Sequence, residues 1–468
     1  MRNSILIAAL AGVVVAALTI GRAETKEASD RLVVHEWGTF TCIQDEQGHE
    51  LTGVNIDDEP VPEFVHNLQP YLLNAPLISS DYWQYRQKAS PRQHPLVTMR
   101  LETPVIYFHP PARAKLPMTL DVDVAFRGGW LTEFYPLARP DAPGLKQGIF
   151  EFGELTPQTV GRLSWKDLQV GTQAVGPQTD EHVWTAPRQV ISADVTAASG
   201  ESERYLFYRG VGNLRAPLRV ATDIGSEELA IRGNFQDVLA PDQRATIPRL
   251  WLVHIRDDGK TAFREIDAIE ATASPDDVLA VVRANFEEAE YDADNLDAVQ
   301  TQMHTELVEA GLYPDEAAAM LATWRRAYFQ SPGLRLFFPV PRAWTDLYLP
   351  LELSVAAEIE RVMMGRIELI TPRQRELLAR IAAGPASDGK WIDAIPHSHS
   401  AAVERIRAGR ADFGDPGVAV PDDYAAYVEL GRFRNALVVA EERRRPTEAI
   451  SKFIDTYALH PYRWEAKE

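Results

Sequence analysis

Met118-Thr119-Leu120-Asp121-Val122-Asp123-Val124-Ala125-Phe126 alternates apolar and polar residues along its length. Met118, Leu120, Val122, Val124 and Phe126 fall on one face, with Thr119, Asp121 and Asp123 opposite, the period of two that a half-buried strand requires. Gly128-Gly129 follows, then Trp130-Leu131-Thr132-Glu133-Phe134-Tyr135, so the stretch predicts a β-hairpin. Working outward, similar short runs, broken by Gly, Pro and Asp, extend from Arg31 to about Glu270. Leu250 to Arg256 and Thr261 to Ile266 flank Asp258-Gly259, a second hairpin signal. Many short strands without helical runs between them predict antiparallel sheets, most simply a sandwich.

The period changes at Ser274-Pro275-Asp276-Asp277, which reads as an N-cap, a proline at the first helical position and an acid at the third. Leu279, Val282 and Phe286 follow at helical spacing. A second helix carries Leu296, Val299, Met303 and Leu307 and stops at Gly311; a third starts near Pro314-Asp315-Glu316 and carries Met320, Leu321, Trp324 and Tyr328. Strand-like text returns at Leu334 to Phe338 and near Val362 to Ile370. Residues 272–333 therefore read as a helical insertion, removable from a β-rich domain built from residues 31–271 and return strands in 334–371. Thr371-Pro372-Arg373-Gln374 is a capping box opening a helix that ends before Gly384, and residues 372–468 read as a C-terminal helical region. The expected fold class is α+β, with an antiparallel, sandwich-like main domain.

At the N-terminus Arg2 precedes an apolar run, Ile5 to Gly21, and Gly21-Arg22-Ala23 places small residues where a signal peptidase reads them. Residues 1–23 are expected to be a signal peptide and the mature chain periplasmic or extracellular; a retained N-terminal membrane anchor is the alternative. The chain carries 48 Lys and Arg against 67 Asp and Glu, a balance that disfavours nucleic acid and anionic membrane surfaces as partners. Cys42 is the only cysteine, so no internal disulfide forms, and it reads as a small buried hydrophobe.

Candidate site residues are dispersed. In Leu32-Val33-Val34-His35-Glu36-Trp37-Gly38-Thr39-Phe40-Thr41, alternation puts His35, Trp37, Thr39 and Thr41 on one face and Glu36 on the other, so His35 and Glu36 cannot act as one acid/base couple. Gly38 inside a strand marks a bulge or a close backbone approach. Asp57, Asp58, Glu59, Glu63 and His66 crowd a proline-bounded loop that reads either as a solvated acidic turn or as a divalent-metal site. His397 and His399 flank Ser398; in an extended segment both rings point one way, and ligands from the β-rich half, His35, Asp57 and Asp58 among them, would have to complete a shell. Trp37, Trp83, Trp130, Trp165 and Trp184 lie in the β-rich half near polar residues such as Glu133. Arg209 ends a strand beside Gly210 and Gly212. His35, Trp37, Glu133 and Arg209 are therefore the candidate binding residues.

The phrase Val34-His35-Glu36-Trp37-Gly38-Thr39-Phe40-Thr41 resembles the opening of a planctomycete-type family of exported bacterial proteins. Glu102 to Phe108, Trp130 to Pro136, Leu206 to Gly212, Met320 to Trp324 and Leu430 to Phe433 are similar to further phrases of that family. The resemblance implies export and carries no activity or catalytic residue with it. No nucleophile–base motif, phosphate loop or dinucleotide fingerprint occurs. That favours a binding protein for a glycan, peptide or partner protein over the alternative, a metal-assisted hydrolase or other secreted enzyme. The only cofactor suggested is a divalent metal.

Overall fold

The computed structural model describes residues 30–55, 61–68, 86–87, 90–91, 93–144, 154–222, 227–275, 277–407 and 409–461. The longer strands are β1 (Leu32–Gln44), β2 (Met99–His109), β3 (Met118–Arg127), β4 (Gly129–Tyr135), β5 (Val160–Val170), β6 (Leu206–Gly212), β7 (Leu250–Ile255), β8 (Thr261–Ile266), β9 (Gly333–Pro339) and β10 (Ala357–Leu369). Eight of them hydrogen-bond side by side in the order β4-β6-β2-β1-β10-β9-β7-β8. β1 lies inside this sheet, antiparallel to β2 and, in a sheet otherwise joined by antiparallel pairs, parallel to β10 from Leu32↔Ala357 to Gln44↔Leu369. All of β1 except Val33 is buried, because both faces of the sheet are covered.

On one face Val34, Phe40 and Cys42 pack with Leu120, Val122, Val124 and Phe126 of β3, Leu163 and Trp165 of β5, and the C-terminal helices. Burial pushes the Cys42 thiol pKa well up, so this cysteine is a packed apolar group. On the other face Trp37, Val105, Tyr107, Phe337 and Trp251 meet α1 (Asn295–Glu309), α2 (Pro314–Thr323) and the π-helical turn Arg325–Phe329. The fold is α+β. No helix among the described residues is long and apolar enough to cross a membrane.

The alternation read in β3 is correct and its partner is not. Leu120, Val122, Val124 and Phe126 are buried, but β3 pairs with β5, from Met118↔Val170 to Arg127↔Val160, whereas β4 enters the main sheet beside β6. Gly128-Gly129 thus carries the chain around a corner between two layers. Gly128 has φ 87°, and a Cβ on Gly129 would sit 2.1 Å from the Phe126 ring. The second hairpin forms as read: β7 pairs with β8 through Ile255↔Thr261, with Gly259 at φ 81° in the turn.

Residues Val278–Arg283 form a strand paired with Glu228–Gly233, not the helix predicted after Ser274. The Thr272 and Ser274 hydroxyls both donate to Asp277, fixing a turn with the residues that resemble a helix cap. The helices α1 and α2 lie in the chain between strands and contribute to the core. Val299, Met303, Met320 and Trp324 have no exposed surface and make up one wall of the second core. α3 (Pro372–Ala383) carries the predicted capping box: the Thr371 side chain accepts from the Gln374 N–H, and Gln374 Oε1 accepts from the Thr371 N–H at 2.9 Å. Beyond it α4 (Ser400–Arg407), α5 (Asp422–Glu429), α6 (Arg434–Arg444) and α7 (Glu448–Thr456) complete the chain's described part.

Candidate metal centre

The register of β1 on β2 places His35 opposite Tyr107 and Val33 opposite His109, so His35 and His109 project from the same sheet face on neighbouring strands. That face is the one α2 covers. Glu316 occupies the third position of α2, where an acid complements the helix N-terminus and reaches back to the preceding backbone. Its Oε2 accepts from the Tyr313 N–H at 2.8 Å and lies 2.6 Å from His35 Nδ1, while Oε1 lies 2.9 Å from His109 Nε2. Asp315 Oδ2 accepts from the Ile191 N–H at 2.8 Å, tying the same helix turn to the segment whose Ala193 N–H donates to the Phe108 carbonyl of β2.

Two imidazole nitrogens and a carboxylate oxygen therefore lie within 4.8 Å of one another. His35 and Glu316 are buried, and the His109 side chain keeps 13% of its surface. The Tyr313 ring stands 4.5 Å from His35 and 4.9 Å from His109 and is 38% exposed, so it forms the outer wall. Burial raises the Glu316 pKa, but hydrogen bonds from His109 and His35 outweigh it and hold the carboxyl below 4.5. The Tyr313 hydroxyl pKa is raised by burial and by Glu316, Asp315 and Glu358. The donor set, borderline-soft nitrogen plus one hard oxygen, would suit a first-row transition ion, which His35, His109 and Glu316 would hold while leaving room for water or substrate.

Of the residues singled out in the sequence, His35 is at this centre. Trp37 lies two residues along the same face and is fully buried. Glu36 points the other way, accepting from Tyr208 Oη and Arg361 Nε, each at 2.5 Å. Gly38 marks both a register shift and a close approach, since a Cβ there would meet Pro104 Cα at 3.0 Å. Glu133 and Arg209 face each other on β4 and β6 at 3.6 Å, away from the histidines. His66 pairs with Glu201 at 2.8 Å and stacks on Tyr135. Asp57, Asp58 and Trp83 lie outside the described residues.

His397 and His399 do not join the β-rich ligands. They form a 3-10 turn instead of an extended segment, which sets side chains two apart about 240° around the axis rather than on one side. His397 is exposed, and His399 Nδ1 is 3.0 Å from the Ser398 hydroxyl. Among the described residues the one set of three His, Cys, Asp or Glu side chains close enough to share an ion is His35, His109 and Glu316. Trp37, Trp130, Trp165 and Trp184 are at most 1% exposed and present no face for stacking on a sugar.

Sequence reasoning missed His109 and Glu316. Glu316 carried a signal, an acid in a helix's first turn, but a capping role accounts for it completely. His109 ends β2 and precedes Pro110-Pro111, with nothing local in the sequence to tie it to His35. Compared with models of known protein families and with curated proteins, the chain matches none.

Proposed function

We propose that this is an exported metalloprotein holding one divalent transition ion, zinc by its donor chemistry, between His35 Nδ1, His109 Nε2 and a Glu316 carboxylate oxygen, and that it acts as a metal-assisted hydrolase. One observation carries the reading: three ligand-type atoms from β1, β2 and α2 lie within 4.8 Å at the edge of a buried core. Such an ion supplies an activated water at neutral pH. The chain's own groups would do the rest. The Tyr313 N–H orients the Glu316 carboxylate, Asp315 anchors the helix turn that presents it, and the Tyr313 hydroxyl, kept protonated by its raised pKa, can donate to a substrate oxygen. Export rests on the reading of residues 1–23.

The test is metal analysis of untagged protein beginning at Glu24, with His35→Ala and His109→Ala beside it. One equivalent of zinc in the wild type and less than a tenth of that in either variant is the expected result. A wild type that refuses zinc at micromolar concentration makes the trio a clip fastening α2 to the sheet and returns the protein to the binding class. Loss of zinc-dependent ester or peptide hydrolysis on Tyr313→Phe, with zinc retained, would assign that hydroxyl its role.

A further inference from the structure

Residues 187–193 run past the metal centre and are held there by hydrogen bonds to their backbone groups. The Tyr107 hydroxyl donates to the Pro187 carbonyl at 2.9 Å, Arg204 Nη1 to the Val190 carbonyl at 3.1 Å, the Ile191 N–H to Asp315 Oδ2 at 2.8 Å and the Ala193 N–H to the Phe108 carbonyl at 2.9 Å. Three of these partners adjoin the ligand trio. Tyr107 lies opposite His35 in the sheet register, Phe108 precedes His109, and Asp315 precedes Glu316. Val190 is fully buried in the core that α2 covers, yet Ile191 beside it is 80% exposed.

A lone exposed isoleucine on a loop needs no explanation. Ile191 differs in two respects. Its backbone is fastened on both sides, so the exposure is a fixed feature of the fold. It also has company: of the seven large apolar side chains exposed among the described residues, Ile191 and Tyr313 both border this one centre. The Tyr313 ring stands 4.5 Å from His35 and 4.9 Å from His109. The chain thus keeps apolar surface in water beside the position where a carbonyl would react, and covering that surface is favourable in proportion to the area removed from water.

We infer that Ile191 and the outer face of Tyr313 form an apolar subsite of the metal centre, and that the substrate hydrolysed there is a carbonyl compound carrying an aliphatic chain next to the scissile bond. This rests on the metal-assisted hydrolysis proposed above and adds its substrate class. Ile191 is the specificity-determining residue: Tyr313 stands against the imidazoles and meets any substrate, whereas Ile191 meets only a chain long enough to extend away from them. Each methylene laid on the subsite should raise kcat/KM about threefold to fourfold. The hydrogen bonds that place residues 190, 191 and 193 all use backbone atoms of this segment, so a new side chain at 191 leaves them intact.

The test uses the full chain from Glu24, loaded with zinc and assayed on p-nitrophenyl acetate, butyrate and hexanoate and on the p-nitroanilides of N-acetylglycine and N-acetylleucine. The wild type should prefer hexanoate to acetate, or the leucine to the glycine anilide, by at least about tenfold in kcat/KM, and the series that responds tells an acyl ester from a peptide. Ile191→Ala should cut that preference below about threefold while keeping its zinc and its urea midpoint, and Ile191→Leu should retain it. Zinc-dependent hydrolysis by the wild type without preference for the longer chain, or an Ile191→Ala protein that keeps the preference, overturns the subsite and leaves the metal centre standing. A wild type that binds no zinc, or that binds zinc and hydrolyses none of these substrates, overturns the hydrolase reading and the subsite with it.

Discussion

Glu316→Gln is the sharpest perturbation of the proposed centre, because it keeps the side chain's length and removes its charge. The carboxylate accepts from three buried or half-buried donors, His35 Nδ1 at 2.6 Å, the Tyr313 N–H at 2.8 Å and His109 Nε2 at 2.9 Å. A hydrogen bond to a charged group contributes about 1.5–3 kcal/mol. The amide keeps one accepting oxygen and turns an N–H₂ toward groups that also donate, so one to two of the three contacts are lost. The expected cost is about 3 kcal/mol, measured by urea unfolding at pH 7 in the presence of chelator, where no ion contributes. Since the Glu316 carboxyl is held below 4.5, its stabilisation is fully present above that value and is lost as the pH falls through the depressed folded-state value. The gap between wild type and variant should therefore be flat near neutrality and close below about pH 4.5. A gap under about 1 kcal/mol at pH 7, or one that does not narrow in acid, refutes the assigned geometry.

Other expectations follow from the same packing. Met303→Ala, at a fully buried position of α1, should cost about 2–5 kcal/mol in chemical denaturation and show that the helices are core. Gly38→Ala must push its Cβ against Pro104 and should lower stability by about 1–3 kcal/mol, whereas Gly259→Ala, with open space around it, meets only its positive φ. His254, half-buried against Tyr291, has its pKa lowered from 6.5 to about 4 by burial, Arg256 and Arg335. Its neutral ring stabilises the fold fully above pH 6.5, and that contribution, about 3 kcal/mol, drains away as the pH falls toward 4. An NMR titration of His254 with its midpoint near 6.5 would contradict this.

What the sequence reveals here is the face each residue takes, and what it hides is the partner. The alternation of β3 and of β1 is written in adjacent residues, so the burial of Val122 and Val124 and the opposed directions of His35 and Glu36 were legible. That β3 would pair with β5 instead of β4 was not, since Gly128-Gly129 serves a corner between layers as well as a hairpin turn. The strand Val278–Arg283 was obscured because its apolar residues satisfy both periods and Asp277 mimics a cap while accepting from Thr272 and Ser274. The metal centre was half legible at most. His35 stood out, but its companions come from β2 and α2, joined to it by tertiary packing alone.

The parallel pairing of β1 with β10 has a consequence for how the chain is made. β1 emerges from the ribosome long before the strand that completes its second edge, residues 357–369. Until then a long, largely apolar strand has an open row of amides and carbonyls, a template for pairing with other chains. Non-local closure of this kind is slow, so this edge of the sheet is among the last parts of the fold to be completed. The same arithmetic makes truncation hazardous: a fragment ending before Ala357 keeps β1 and forfeits its partner, and should be recovered from inclusion bodies as aggregate.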